Sequence, residues 1–441
     1  MKPIARWGTP EGDRILERLV SRGAGEAVAG VESAVREILE AVAREGDQAL
    51  CRYTARFDGL ELAPGDLRIP EAELEAAWHG LPAEDREALA LAEERIRAFH
   101  ERQRPASWFC DEDGVVLGQR VTPLDAVGVY VPGGTAAYPS SVFMNAVPAR
   151  VAGVGRVVMV TPTPGGRVNP HVLAAAWLAG VREVYRIGGA QAVGGLAFGT
   201  ATVPRVDKVV GPGNIYVATA KRLVYGRVDI DMVAGPSEIL VVSDGSGEPA
   251  WIAADLLSQA EHDPWATAAL VATDEGFARA VAREVETQLA RLPRAETARK
   301  SWEDRGALLV VPSLEAACEV ANRVAPEHLE LAVERPWDLL GRIRHAGAVF
   351  LGHHTPESLG DYLAGPNHVL PTAGTARFFS PLGVEDFVKR SSVLSFSPAA
   401  LARLAAPVMR IARLEGLEAH ARAVEKRVGK REGWKASKLE S

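Results

Sequence analysis

The chain has 441 residues, 47% of them hydrophobic and 24% charged, with a formal net charge of -7; that length implies two or more domains, and the negative balance argues against nucleic acid or an anionic membrane as partner. Three scattered cysteines, Cys51, Cys110 and Cys318, show no CxxC spacing and suit a reducing compartment without disulfides. The opening Met1-Lys2-Pro3-Ile4-Ala5-Arg6-Trp7 has no apolar signal core and no apolar run spans a bilayer, so a cytoplasmic enzyme or binding protein is expected.

Residues 1 to about 105 read as helical. Segments at 13–20 and 31–43 are amphipathic, with Val35, Ile38, Leu39 and Val42 at helical spacing. Pro70 and Pro82 stand where first helical positions are expected. No chemistry is visible there. From about residue 125 the texture changes. Apolar strands at 126–131, 156–160, 183–187 and 208–210 alternate with helices at 139–152, 169–179, 190–199 and 214–225, the pattern of a parallel sheet covered on both faces. The strands run into Pro132-Gly133-Gly134, Gly188-Gly189 and Gly211-Pro212-Gly213. Such strand ends serve either as tight turns or as backbone cradles for phosphate. The G-x-G-x-x-G fingerprint is missing. A second block follows, with strands at 238–242, 267–272, 307–311, 329–333 and 348–351 and helices at 250–260, 275–291, 313–325 and 336–344. The expected fold class is α/β, with two Rossmann-like domains, incomplete and mostly parallel-sheeted, facing a cleft. A helical N-terminal arm and a helical C-terminal tail flank them.

Polar residues that could carry chemistry fall in four segments. In Ser258-Gln259-Ala260-Glu261-His262-Asp263-Pro264 a helix is expected to stop at about Asp263, ahead of Pro264. Gln259 and His262 then share a face of its last turn, half of a metal site or a plain polar helix end. In Ala325-Pro326-Glu327-His328-Leu329-Glu330-Leu331 the leucines alternate as the buried side of a strand, His328 points the other way, and Glu327 belongs to the turn before it. Together they offer two proton acceptors, or a solvated pair at a strand start. The irregular region 353–383 contributes Asp361 and His368, and the tail contributes Glu415 and His420, the latter on a stripe with Leu417, Val424 and Val428.

As a set these residues resemble the histidinol dehydrogenase family. The matching segments include Gly128-Val129-Tyr130-Val131-Pro132-Gly133-Gly134, Ile187-Gly188-Gly189-Ala190-Gln191, Gly211-Pro212-Gly213-Asn214, Ala234-Gly235-Pro236-Ser237-Glu238, Gly360-Asp361-Tyr362, Asn367-His368 and Glu415-Gly416-Leu417-Glu418-Ala419-His420, besides the two segments above. The resemblance implies oxidation of L-histidinol to L-histidine through the aldehyde, with two NAD+ reduced. It implies one Zn2+ per subunit on Gln259, His262, Asp361 and His420, proton acceptors at Glu327 and His328, and NAD contacts at Tyr130, Gln191 and Asn214. Substrate contacts fall on Ser237, His368 and Glu415 and on the metal and proton-accepting residues. It further implies a homodimer whose tail completes the partner's site. The corresponding division is an arm at 1–25, one α/β domain from 26–129 and 239–380, an NAD-contacting α/β domain at 130–238, and the tail at 381–441. A related zinc- and NAD-dependent enzyme acting on another small diol is the alternative. Val233 and Ala364 depart from the family's usual Pro and Ser beside site motifs.

Overall fold

In the computed structural model, which describes residues 2–22, 28–133 and 138–428, two six-stranded sheets dominate. Met1, residues 23–25 of the expected arm, Gly134 and the tail beyond residue 428 lie outside the described residues. The first sheet runs in the order Arg68–Ile69, Glu183–Tyr185, Arg156–Val160, Ala126–Tyr130, Lys208–Val210, Asp229–Ile230. Only its first edge strand is antiparallel. The second sheet is parallel throughout, in the order Ile4–Arg6, Ala307–Val310, Thr267–Ala272, Glu238–Ser243, His328–Ala332, Ala348–Leu351. The central strands of both are buried on both faces, as near-continuous apolar runs require. The connecting helices start where the sequence supplies caps: the side chains of Asn169, Asn214, Asp274 and Ser313 each accept a backbone N–H of the turn that follows. The fold class expected from the sequence is the one observed.

Three expectations need correction. The first hundred residues are not purely helical: Ile4–Arg6 is an edge strand of the second sheet and Arg68–Ile69 an edge strand of the first. Both are too short to show a period of two. Second, residues 26–129 do not group with 239–380. Val35, Ile38, Leu39 and Val42 share a core with Val193, Leu196, Val209 and Val217, so the helices Val28–Glu45 and Asp47–Asp58 cover the first sheet. The Ala126–Tyr130 strand lies inside that same sheet. Third, a further sheet of Val388–Phe396, Val115–Pro123 and Trp108–Glu112 stands where no strand was expected.

By packing the chain divides into two units. The larger comprises Met1–Arg104 with Pro123–Phe387 and holds both six-stranded sheets; the smaller comprises Pro105–Thr122 with Val388–Ser441. The smaller unit contains the three-stranded sheet, the helix Pro398–Leu414 and the helix Glu418–Val428, which pack on one another. No helix among the described residues is long and apolar enough to cross a membrane.

Candidate active site

The strand His328–Ala332 is buried along its whole length. Leu329 and Leu331 join the apolar core on one side, which turns His328 and Glu330 to the other. Glu327 sits in the turn just before the strand, after Ala325 at a left-handed φ of 48° and Pro326. Glu327 Oε2 accepts the Glu238 N–H at 2.8 Å. His328 Nδ1 lies 2.9 Å from the Glu238 carbonyl oxygen. A carbonyl can only accept, so Nδ1 carries the proton and Nε2 is left as a bare acceptor. Nε2 faces Glu357 Oε1 at 3.8 Å and Asp361 Oδ1 at 3.9 Å.

The other polar groups come from separate elements. Glu357 and Asp361 are one turn apart on the helix Glu357–Tyr362, and Ser258 Oγ donates to Glu357 Oε2 at 3.0 Å. That bond ties the end of the helix Pro249–Ala260 to this corner. The helix stops at Ala260, earlier than Pro264 demands, so His262 stands in the turn beyond it, with its N–H donating to the Gln259 carbonyl at 3.1 Å. The two are thus joined by a turn rather than by a shared helical face. Gln259 is buried, and His262 is near enough to depress the basicity of both His328 and His368.

The electrostatics point to a cation. Burial, then the neighbouring Glu238, raises the Glu327 carboxyl well above the ordinary range. Burial, then Glu357, does the same to Asp361. Burial lowers His328, and drives His368 down to about 4. His328, Glu357 and Asp361 bring one ligand atom each within 4.8 Å of one another. Among the described residues, Gln259 Oε1, His328 Nε2 and Glu357 Oε1 are buried without a hydrogen-bond partner. Of these, His328 Nε2 and Glu357 Oε1 lie 3.8 Å apart, and a pair of buried orphaned acceptors is costly unless a cation or a hydrogen-bond donor faces it. An amide oxygen, imidazole nitrogens and a carboxylate are also donors that zinc accepts, so the residues present fit that ion.

Tyr130 ends a strand of the first sheet, while Gln191, on the first turn of the helix Gly189–Phe198, and Asn214, at the cap of the helix Ile215–Val224, follow the C-terminal ends of its parallel strands. Strand order reverses between Ala126–Tyr130 and Lys208–Val210, the kind of switch point at which open α/β sheets take ligands. The Tyr130 hydroxyl accepts the Gly189 N–H at 3.1 Å, and burial raises its phenol to about 12. Gln191 is buried with Oε1 unpartnered among the described residues. Asn214 is exposed and caps the helix Ile215–Val224. These donors fit a polar, amide-bearing ligand such as a dinucleotide. Ser237 is half-buried beside Glu238. Glu415 and His420 belong to the smaller unit, where both are exposed.

A family model described as histidinol dehydrogenase matches residues 22–428. The chain belongs to the histidinol dehydrogenase family. The histidinol dehydrogenase of Syntrophotalea carbinolica is 62% identical over 400 residues, covering 90% of this chain and 93% of that one. That of Aquifex aeolicus is 56% identical over 396 residues, covering 90% and 92%. The crystal structure of histidinol dehydrogenase from Elizabethkingia anophelis superposes with a TM-score of 0.90 at 35% identity, covering 97% of each chain.

Within this candidate site, sequence reasoning passed over Glu238, Glu330 and Glu357. Glu238 adjoins Ser237 in a segment that was singled out, and Glu330 shares the face of His328 by strand alternation. Glu357 precedes Asp361 by one helical turn, but a six-residue helix is too short to announce itself by periodicity.

Proposed function

We propose that this chain oxidises L-histidinol to L-histidine through the aldehyde, reducing two NAD+, as the final steps of histidine biosynthesis. The observation that carries the reading is His328: its Nδ1–H is committed to a carbonyl, and its free Nε2 looks onto the carboxyl groups of the buried Glu357 and the half-buried Asp361. Nε2 accepts the alcohol proton while the carbon gives up a hydride. The lowered basicity of His328 keeps that nitrogen unprotonated near neutrality. In the second half, Glu327 takes a proton from the water that adds to the aldehyde, and the resulting gem-diol loses the second hydride and proton. A carboxyl whose ionised form is disfavoured by burial is a stronger base for that task than an exposed one. Tyr130, Gln191 and Asn214 would hold NAD+, which would supply the hydride acceptor for both halves. Gln259, His262, Asp361 and His420 would hold one zinc ion per subunit, which would supply Lewis acidity and a fixed point for the substrate. Ser237, His368 and Glu415 complete the substrate contacts. The depressed His368 remains neutral and can share a hydrogen bond with the substrate's ring.

Glu415 and His420 enter this scheme from a second copy of the chain. The smaller unit supports a homodimer because its surface is apolar. Trp108, Phe109, Leu117, Leu394 and Phe396 are exposed on its sheet, and Leu404, Val408, Ile411 and Leu414 form an exposed stripe at helical spacing. Patches of this kind on a folded unit mark a surface that a partner covers.

The test is NADH formation by purified protein with histidinol, with other small diols, and after zinc is stripped with a chelator. Two NADH per histidinol, lost with zinc and restored by it, are expected. Preferential turnover of a different diol, or full activity without metal, would sink the assignment.

A further inference from the structure

Gly211 ends the strand Lys208–Val210 with a φ of 112°, and a Cβ there would stand 2.1 Å from the Tyr130 carbonyl oxygen. Its backbone is gripped on both sides. The Gly211 N–H donates to Asp231 Oδ2 at 2.8 Å, and Lys221 Nζ donates to the Gly211 carbonyl at 2.9 Å. Lys221 and Asp231 are themselves an ion pair, with side chains 2% and 1% exposed. Asp231 Oδ1 also accepts the Met232 N–H at 2.6 Å. Four buried polar groups therefore close a ring around one residue of the chain.

Stability alone gives no reason for this arrangement. A buried ion pair is commonly no more stabilising than well-packed apolar residues of the same volume. What the pair does, and leucine and methionine cannot, is fix the direction of a peptide N–H and a peptide C=O. Gly211 opens the turn Gly211-Pro212-Gly213-Asn214, and Asn214 Oδ1 accepts the N–H groups of Tyr216 at 3.0 Å and Val217 at 3.2 Å. Lys221 lies further along the same helix, Ile215–Val224. The turn is thus held at Asn214 by its own helix, and at Gly211 by a cation carried on that helix and an anion just past the Asp229–Ile230 strand.

We propose that Lys221 and Asp231 are positioning residues for the dinucleotide: they act not by touching the cofactor but by setting the turn that leads from Gly211, packed against the Tyr130 carbonyl, to Asn214. This rests on the NAD reading of the first sheet. Lys221→Met leaves Asp231 buried and unpaired and is expected to lower stability as well as NAD affinity. The double variant Lys221→Met/Asp231→Leu removes both charges and restores packing without restoring the grip. The deciding measurements are KM for NAD+, KM for histidinol and kcat of the full-length enzyme, with NADH binding by protein fluorescence and Tm for each variant. For the double variant we expect a lowered Tm, because the Gly211 and Met232 backbone groups lose their partners, with KM for NAD+ and Kd for NADH raised about tenfold but kcat at saturating NAD+ and KM for histidinol within about twofold. Unchanged NAD+ and NADH affinity in the double variant overturns the proposal. So does a parallel rise in both KM values that tracks a fall in Tm, the signature of a merely structural pair. If wild-type protein neither binds NADH nor reduces NAD+, the underlying NAD reading falls, which that control separates from failure of the clamp.

Discussion

Asp255 and Glu330 show what burial does to a single carboxyl group behind the candidate site. They hydrogen-bond to each other, and Glu330 Oε1 also accepts the Glu357 N–H at 2.8 Å, tying the pair to the start of the helix that carries Glu357 and Asp361. Burial raises Glu330 well above its ordinary value and raises Asp255 from 3.8 to about 6. Between those two values the folded chain holds a proton on Asp255 that the unfolded chain has released. The group therefore favours the fold at low pH, and that contribution is lost as pH rises through about 6. Asp255→Asn is expected to leave stability near wild type at acid pH and to raise it on the order of 1 kcal/mol at pH 8. Urea unfolding at the two pH values measures it, and an equal change at both would contradict the shared proton. Glu327, His328 and Asp361 were legible in the sequence because each stands in a short segment with its own break or pattern, a proline before Glu327 and a strand alternation under His328. Asp255 was legible only as one position on a helix, since the group that gives it meaning lies on a different strand.

Among elements, the long apolar strands and the helices between them could be read residue by residue, because their burial is written into local composition. Pairing could not. The Trp108–Glu112 and Val115–Pro123 hairpin joins Val388–Phe396 from the far end of the chain, and its residues are mostly exposed, so neither a buried run nor a one-sided alternation marks it. Position along a strand, by contrast, could be read, since glycine turns close the strands of the first block and Pro326 precedes the strand that His328 opens. In the first sheet the dinucleotide candidates sit at C-terminal strand ends, whereas in the second sheet Glu238, Glu327 and His328 gather at N-terminal strand ends. The neighbouring turn at Gly347 holds that N-terminal edge in place. Gly347 N–H donates to the Pro326 carbonyl and Ala348 N–H to the Glu327 carbonyl, each at 2.9 Å. A Cβ on Gly347 would meet Glu327 O at 2.5 Å, with Leu370 Cβ and Pro371 Cδ each at 3.2 Å blocking retreat. Gly347→Ala is expected to cost about 1–3 kcal/mol and to cut kcat by about tenfold or more by displacing Glu327. Urea unfolding and steady-state kinetics report the two effects. Near-normal kcat in a destabilised variant would show that the turn serves the fold and not the dyad.

At the scale of the molecule, the candidate ligands are divided: Gln259, His262 and Asp361 belong to the larger unit, while His420 belongs to the smaller. Whether His420 serves its own subunit or a neighbour's is decided by mixing two inactive proteins. Glu327→Gln damages a residue of the larger unit and His420→Asn one of the tail. In a hybrid dimer where tails cross, one site combines both lesions, and the other receives an intact Glu327 from one subunit and an intact His420 from the other. Equal amounts exchanged to equilibrium give hybrids as half of all dimers, so about one quarter of sites become wild type. Activity should climb from the background of either parent to about a quarter of the wild-type value, with a time course set by subunit exchange. Tails that serve their own subunit leave every site with one lesion, and activity stays at background however long the proteins are mixed. Unfolding and refolding the two together removes slow exchange as an explanation, so persistent inactivity after refolding, beside a wild-type control that recovers, would rule out the crossed arrangement.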